Sequence, residues 1–480
     1  MSVSPSPHSS LPSANAWWSK LNRYERLVFI VATLAWMFDC LDQQLFNLAR
    51  SPALDSLLTP LQAERKNFFV GLSTSIFVFG WATGGMIFGS LGDRYGRVRM
   101  LSITVLLYSL ATGLSALSTG FTDFSIYRFI TGLGVGGVFG LAVALVADTV
   151  PGEVRPRALG VLQSFSAVGN VAAGFIGLSI AMTSFGESTN YWKWLFLIGA
   201  LPAFLVAAIQ LRMKEPESWV EARARAHASG KRSGSYRDLF GHPTWRKHAL
   251  LGMVLSCAGV IGLWGIGVFS SDLVGDIIAN NLREVGKTAA EVTKGRQFWM
   301  SINLLCFNVG AFAGMLLFTR ITEKIGRRKA FAGFFLGSLF ITVFVFQSIN
   351  SPRDILWMAP LMGFFHLSVF AGFSIYLPEL FPTRLRATGV SFCYNVGRYL
   401  AAFGPLTLGA LAAALALKAE NIAIEKAGPD ATDAVLAAIK TTAKIDAFRD
   451  AASWMCLIFL IGLVVLPFLP ETKGQPLPED

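Results

Sequence analysis

The chain has 480 residues, of which 53% are hydrophobic and only 15% charged, with a mean hydropathy of +0.52. So apolar a composition excludes a soluble globular protein of this length, whose surface would need far more charge. The net charge of +11 would suggest nucleic acid in a soluble chain, but here the basic residues cluster in loops between apolar runs. That pattern assigns the charge to membrane topology and leaves no nucleic-acid partner.

In chain order, residues 1–26 open with a Ser/Pro-rich stretch that reads as a disordered cytoplasmic tail, and no cleavable signal peptide is visible. Twelve apolar runs follow, near 27–48, 68–90, 99–118, 122–147, 158–181, 193–212, 248–272, 297–318, 330–349, 353–379, 387–417 and 452–469. A helix needs about 20 mostly apolar residues to cross a hydrocarbon core of about 30 Å. The expected fold is therefore an all-α membrane protein: a six-helix bundle over 27–212, a cytoplasmic linker over 213–247, a second six-helix bundle over 248–470 and a cytoplasmic tail over 471–480. Residues 418–448 form a long outer loop of mixed charge with room for a short helix.

Orientation follows from the 41 Lys and Arg: 25 fall in segments on the side of the termini and 14 on the other side. Positive residues are held inside, so both termini are expected in the cytoplasm, and the expected bilayer is the plasma (inner) membrane. Cys40, Cys257, Cys306, Cys393 and Cys456 all fall in apolar runs, which reads as packing rather than a disulfide or metal set. No cofactor motif, P-loop or nucleophile elbow is present, so catalysis and ATP-driven steps are not expected.

The two bundles repeat. Gly92-Asp93-Arg94-Tyr95-Gly96-Arg97 returns 230 positions later as Thr322-Glu323-Lys324-Ile325-Gly326-Arg327. Asp148 and Pro151 close the fourth run as Glu379 and Pro382 close the tenth, and Arg157-Ala158-Leu159-Gly160 opens the fifth as Arg386-Ala387-Thr388-Gly389 opens the eleventh. Duplicated membrane halves are the architecture of carriers that alternate the side to which they open.

The Gly89…Gly92-Asp93-Arg94-x-Gly96-Arg97 loop resembles the signature loop of the major facilitator superfamily. The stretch Arg128 to Gly137 is similar to that family's fourth-helix motif. Pro470-Glu471-Thr472-Lys473-Gly474, with Glu215-Pro216-Glu217-Ser218 after the sixth run, resembles the sugar-porter branch and its organic-ion relatives. Phe38-Asp39-Cys40-Leu41-Asp42 is similar to the Asp-Gly-Phe-Asp element of metabolite and aromatic-acid proton symporters. The seventh run departs from hexose carriers, which bear paired glutamines there; 255–265 contains no amide. The resemblance implies two bundles related by a pseudo-two-fold axis, a midplane site, a functional monomer and an acid at Asp42 paired with Arg128.

Ionisable groups at membrane depth are costly and usually functional. At 1.5 Å per residue, Asp39 lies about 18 Å and Asp42 about 22 Å from the inner edge. Arg128, about 8–10 Å below the outer face, shares that half of the bilayer with Asp42, and the two can pair. Proton binding to Asp42 would then release Arg128, which stays charged; a static ion pair in a facilitator is the other reading. Asp39 is either a second proton relay or a hydrogen-bonded structural acid. Arg398, with Asn395 and Tyr394 one turn before it, needs an anion, either a substrate carboxylate or Asp39. His366, Asn170, Asn308, Gln163 and Trp264 fall at depths that suit a polar ring around substrate, though each also suits ordinary packing. At the inner helix ends Asp93, Arg97, Asp148 and Arg157 mirror Glu323, Arg327, Glu379 and Arg386, and Glu217 and Glu471 are expected to join them in a gate.

These residues point to a secondary carrier, proton-coupled, for a small organic anion such as a carboxylate, an aromatic acid or an acidic sugar. A neutral-sugar symporter is the alternative on the same frame, and a membrane sensor that binds without turnover is a reading from another class.

Overall fold

The computed structural model describes residues 16–181, 190–263, 269–402, 404–427 and 433–479. Besides two single-turn pieces and short 3-10 segments, these residues form eighteen helices and no β-strand. The first half comprises α1 (Arg23–Leu57), α2 (Lys66–Tyr95), α3 (Arg97–Ser115), α4 (Phe121–Thr149), α5 (Arg155–Ala181), α6 (Tyr191–Gly199) and α7 (Ala203–Arg212). The linker contributes α8 (Glu217–Ala228) and α9 (Tyr236–Gly241). The second half comprises α10 (Pro243–Gly262), α11 (Phe269–Glu284), α12 (Ala289–Ile325), α13 (Arg327–Ser348), α14 (Pro352–Tyr376), α15 (Arg386–Ala401), α16 (Gly404–Ala427), α17 (Asp433–Met455) and α18 (Ile458–Val465).

These helices form twelve spans, with four of them assembled from two pieces, the twelfth from α17 and α18. The sixth, α6 and α7, is interrupted at 200–202, where Pro202 supplies no backbone N–H. The seventh is α10 and α11. The eleventh is α15 and α16, so the single run expected over 387–417 is two helices that reach to Ala427. The region 418–448, expected as an outer loop, is largely helical in α16 and α17; its alanines favour helix wherever packing does not decide.

Glycines set the tightest packing. A side chain at Gly84 would strike the backbone carbonyl of Leu133, and one at Gly136 that of Trp81, so α2 and α4 touch backbone to backbone. Gly310 and Gly363 do the same for α12 and α14, against Pro360 and Phe307. In lipid there is little hydrophobic drive between helices, so close approach of small residues supplies the contact energy. The fourth-span glycines that carry the sequence resemblance therefore have a packing role.

The halves meet mainly through α15 against α2 and α4, and through α5 against α12 and α14. At the linker end the contact is close: Ser374 Oγ donates to the Leu159 carbonyl at 3.1 Å, and Ser391 fills the space over Gly89 and Gly140. The linker is not a free loop. Trp219 Nε1 donates to the Asp93 carbonyl at 2.9 Å, Tyr236 Oη to the Met86 carbonyl at 2.8 Å, and Arg384 binds Asp238 at 2.9 Å. It thus straps both halves.

Candidate functional site

Two buried charge groups lie near each other, the first between the halves and the second inside the first half. In the first, Arg398 on α15 is sandwiched, its guanidinium carbon 4.1 Å from the ring centre of Trp81 on α2 and 4.2 Å from that of Tyr394. Its Nη1 donates to the Tyr394 carbonyl at 2.5 Å and to Asn395 Oδ1 at 3.1 Å, while Nε has no partner among the described residues. Tyr394 in turn stacks on Phe139 of α4, ring centres 3.8 Å apart, and Phe139 meets Trp36 of α1 at 5.0 Å. Asn395 anchors the turn by donating to the Ser391 carbonyl at 2.9 Å, and it packs over Gly85.

Asp39 lies between this group and the next, its charge acting on both Arg398 and Asp42. Its Oδ2 accepts from Gln43 Nε2 at 2.9 Å and its Oδ1 has no partner among the described residues. No ion pair within 4.0 Å joins Asp39 to Arg398.

The second group corrects an expectation. Asp42 and Arg128 face each other but do not form a direct pair within 4.0 Å. Arg128 instead donates through Nε and Nη2 to Ser115 Oγ at 3.1 and 2.6 Å. Its guanidinium sits in a cage of Phe196, Phe46 and Phe124, at 4.6, 5.4 and 6.0 Å. The ring faces attract the cation and stand in for a carboxylate. Asp42 lies beside Thr112 against Gly199, where a side chain would stand 2.7 Å from Oδ1, and neither of its oxygens accepts a hydrogen bond of normal geometry.

The other expected ring members divide. Asn170 Nδ2 donates to Asn308 Oδ1 at 2.9 Å, an amide pair joining α5 to α12 across the halves. Gln163 is buried on α5 with its amide near Ser166, 3.4 Å away. His366 does not join the Arg398 group. Its Nε2 lies 2.8 Å from Thr342 Oγ1 on α13, and its ring meets Phe459 of α18 at 5.3 Å, so it ties helices within the second half. Trp264 lies outside the described residues.

The linker-end charges form a network in three parts. Asp93 takes hydrogen bonds from the N–H groups of Ala387 and Thr388 at 3.2 and 2.8 Å and from the Thr388 hydroxyl at 2.7 Å, all across the halves. Arg97 binds Asp93 at 3.1 Å and also pairs with Asp148, which pairs with Arg386 of the other half. Arg157 grips Glu323 across the halves through two contacts of 3.0 and 2.9 Å. Arg327 and Glu379 pair at 2.9 Å inside the second half, with Thr472 donating to Glu379 at 2.6 Å. Glu217 is a correction. It opens α8 and makes no ion pair among the described residues, whereas Glu215 two residues earlier accepts from the N–H groups of Arg97, Val98 and Arg99 at 2.7, 3.1 and 3.0 Å. Pro216 caps the start of α8 and biases the residue before it to extended chain, which leaves Glu215 able to reach α3.

Sequence reasoning missed Trp36, Trp81 and Phe139. Aromatic residues on wholly apolar helices carry no mark that separates a site wall from a lipid-facing side chain, and only Trp81's spacing from Gly80 and Gly84 hints that it faces the α4 contact.

Residues 35–405 match the Major Facilitator Superfamily. A putative metabolite transport protein of Haemophilus influenzae is 26% identical over 464 residues, 96% of this chain and 99% of that one. A putative niacin/nicotinamide transporter, NiaP, of Bacillus subtilis is 29% identical over 393 residues, 81% of this chain and 89% of that one. Among solved structures, the E. coli proton:xylose symporter XylE bound to 6-bromo-6-deoxy-D-glucose superposes with a TM-score of 0.68 at 17% identity, covering 95% of this chain and 98% of that one. That last likeness concerns the fold alone. With the family match spanning most of both halves, the chain belongs to the Major Facilitator Superfamily of membrane transporters.

Proposed function

We propose that this carrier imports a small organic anion together with protons by alternating access, working as a monomer in the plasma (inner) membrane with the linker and both termini in the cytoplasm. The observation that carries the reading is Arg398: a buried cation held between Trp81 of one half and Tyr394 of the other, with Nε unbonded and no carboxylate within 4.0 Å among the described residues. A guanidinium in that setting grips a carboxylate through parallel N–H bonds, and the aromatic walls suit a flat acid. The niacin in the Bacillus relative's name is such an acid.

In this reading the proton is handled by Asp39 and Asp42. Asp39 Oδ1 and both Asp42 oxygens have room to take a proton without losing a hydrogen bond. Neutral Asp42 removes the negative charge that faces Arg128, which stays charged and is retained by Ser115 and the phenylalanine cage. Neutral Asp39 removes a competing negative charge from the neighbourhood of Arg398, which favours an incoming anion. Proton and anion then enter together, and the cotransported proton offsets the anion's charge against an inside-negative potential. With the linker end closed by the Asp93, Asp148 and Arg157 contacts, loading takes place from the opposite side.

The test is counterflow in proteoliposomes with a carboxylate panel and a hexose panel. Arg398→Gln is expected to abolish carboxylate exchange. Hexose exchange that survives the same substitution, with carboxylates ignored by the unmodified chain, would instead make this a neutral-sugar symporter. Saturable binding without exchange of either panel would make it a sensor.

A further inference from the structure

Two clefts adjoin at the linker end, and neither the central site nor the charge network uses them. One, of about 480 Å³, is apolar and is lined by Met86, Ile87 and Leu91 of α2, Tyr236 and Phe240 of the linker, and Phe392 of α15. The other, of about 540 Å³, is lined by Arg94, Arg223, His227, Lys231 and Arg232 among others, with no acidic residue in its wall. The same two elements build both: α2 runs from Ile87 and Leu91 in the first to Arg94 in the second, and the linker runs from Tyr236 back to Lys231–Ser233.

We propose that an anionic phospholipid lies across these clefts and favours the state closed at the linker end. Its phosphate headgroup rests on Arg94, Arg223, Lys231 and Arg232, and an acyl chain lies against Ile87, Leu91, Phe240 and Phe392. The spacing fits: Arg94 stands seven residues beyond Ile87 on one helix, about 10 Å along its axis, the step from upper acyl chain to headgroup. Ile87 is 46% exposed about two turns before the end of α2, on a membrane-spanning helix, so the apolar cleft opens onto lipid.

The charges fit as well. Arg94, Arg223, Lys231 and Arg232 form no ion pair among the described residues, whereas nearby Arg384 is bound to Asp238 at 2.9 Å. Arg223 is held in place over Trp219, 5.3 Å from its ring centre. Topology requires basic residues on this side of the bilayer, but not four of them around one acid-free cleft beside an apolar one. A free phosphate would complement only half of this surface; a lipid uses both.

State dependence follows from who lines the apolar cleft. Ile87 and Leu91 belong to the first half, Phe392 to the second, and Phe240 meets Phe392 at 5.1 Å. Separating the halves at this end dismantles the cleft, so a ligand that needs it stabilises closure.

The full-length chain, purified in detergent, would be titrated with phosphatidylglycerol, phosphatidylcholine or inorganic phosphate, reading the thermal midpoint and the lipid retained in native mass spectra. Phosphatidylglycerol alone is expected to raise the midpoint and to be retained. Removing three exposed cations together, by Arg223→Gln, Lys231→Gln and Arg232→Gln, weakens its binding on the order of 100-fold, and Lys231→Gln alone about 5-fold. Ile87→Asn weakens the lipid without touching a cation. An equal shift with phosphatidylcholine, a shift reproduced by inorganic phosphate, or wild-type affinity in the triple variant each overturns the proposal.

Discussion

Glu215 and Glu471 occupy equivalent places in the two halves, each carboxylate closing the start of a helix from the segment that follows its own bundle. Glu215 accepts from the N–H groups of Arg97, Val98 and Arg99, and Glu471 from those of Arg327 and Arg328 at 2.9 and 3.1 Å. Both helices begin after a glycine with positive φ, Gly96 at 118° and Gly326 at 95°. A carboxylate at a helix N-terminus meets unpaired N–H groups and the positive end of the dipole, so the duplicated signature loops share one physical device.

The device predicts a pH dependence. Partial burial pushes the Glu471 carboxyl up, but hydrogen bonds from the N–H groups of Arg327, Lys473 and Arg328 outweigh it and hold the group below the usual glutamate range. The unfolded chain therefore binds the proton at higher pH than the folded one. The stabilisation is complete above the ordinary glutamate value of about 4.3 and is lost as pH falls through the lowered folded value. Thermal midpoints of the purified chain and Glu471→Gln should differ at pH 7, by about 1 kcal/mol in stability, and converge toward pH 3.

Gly96→Ala should cost more than its loss of flexibility alone. The backbone there disfavours any side chain, and the added carbon would stand 2.3 Å or a little more from the Glu215 carboxylate unless that cap is released. We expect a loss of about 2 kcal/mol or more by thermal unfolding, and a smaller loss when Glu215→Gln is already present, since the cap is then weakened.

Arg157 and Glu323 join the halves at the closed linker end, and both are partly exposed. Such a pair contributes about 0.5–1 kcal/mol, a two- to five-fold change in the ratio of the two states. Distance measurements between spin labels on the linker ends of α5 and α12 should show more of the open state in Arg157→Glu. Adding Glu323→Arg should return the distribution toward that of the unmodified chain.

His366 should separate from the substrate residues. Because its ring bridges α13, α14 and α18, His366→Leu should lower the thermal midpoint while leaving the KM for transported substrate within about two-fold. Arg398→Lys, by contrast, keeps the charge but loses the flat fork between Trp81 and Tyr394, and should abolish carboxylate uptake with little change in midpoint.

Much of the architecture is legible in the residues. The repeat of Asp93-x-x-Gly96-Arg97 as Glu323-x-x-Gly326-Arg327 announces two halves, and apolar run lengths mark the spans. The breaks are less legible. Pro202 marks one and Gly404-Pro405 marks another, but in both places the apolar run continues across the break. Charges at depth drew attention to Asp39, Asp42, Arg128 and Arg398 because burial makes each expensive. Their partners were hidden for the opposite reason: the cation over Phe196 and the cation between Trp81 and Tyr394 are met by aromatic rings, which look like ordinary membrane residues in a sequence. The choice of Glu215 over Glu217 depends on two residues of chain path, below what spacing resolves.

The central claim is that a proton drives an organic anion through the Asp39–Arg398 and Asp42–Arg128 groups. It is tested most directly by uptake of a carboxylate panel into proteoliposomes with and without an inward proton gradient, in the unmodified chain and in Asp42→Asn. The account predicts uphill carboxylate accumulation that requires the gradient and is lost in Asp42→Asn, while gradient-free exchange persists. Accumulation indifferent to the gradient, or undiminished in Asp42→Asn, would contradict it.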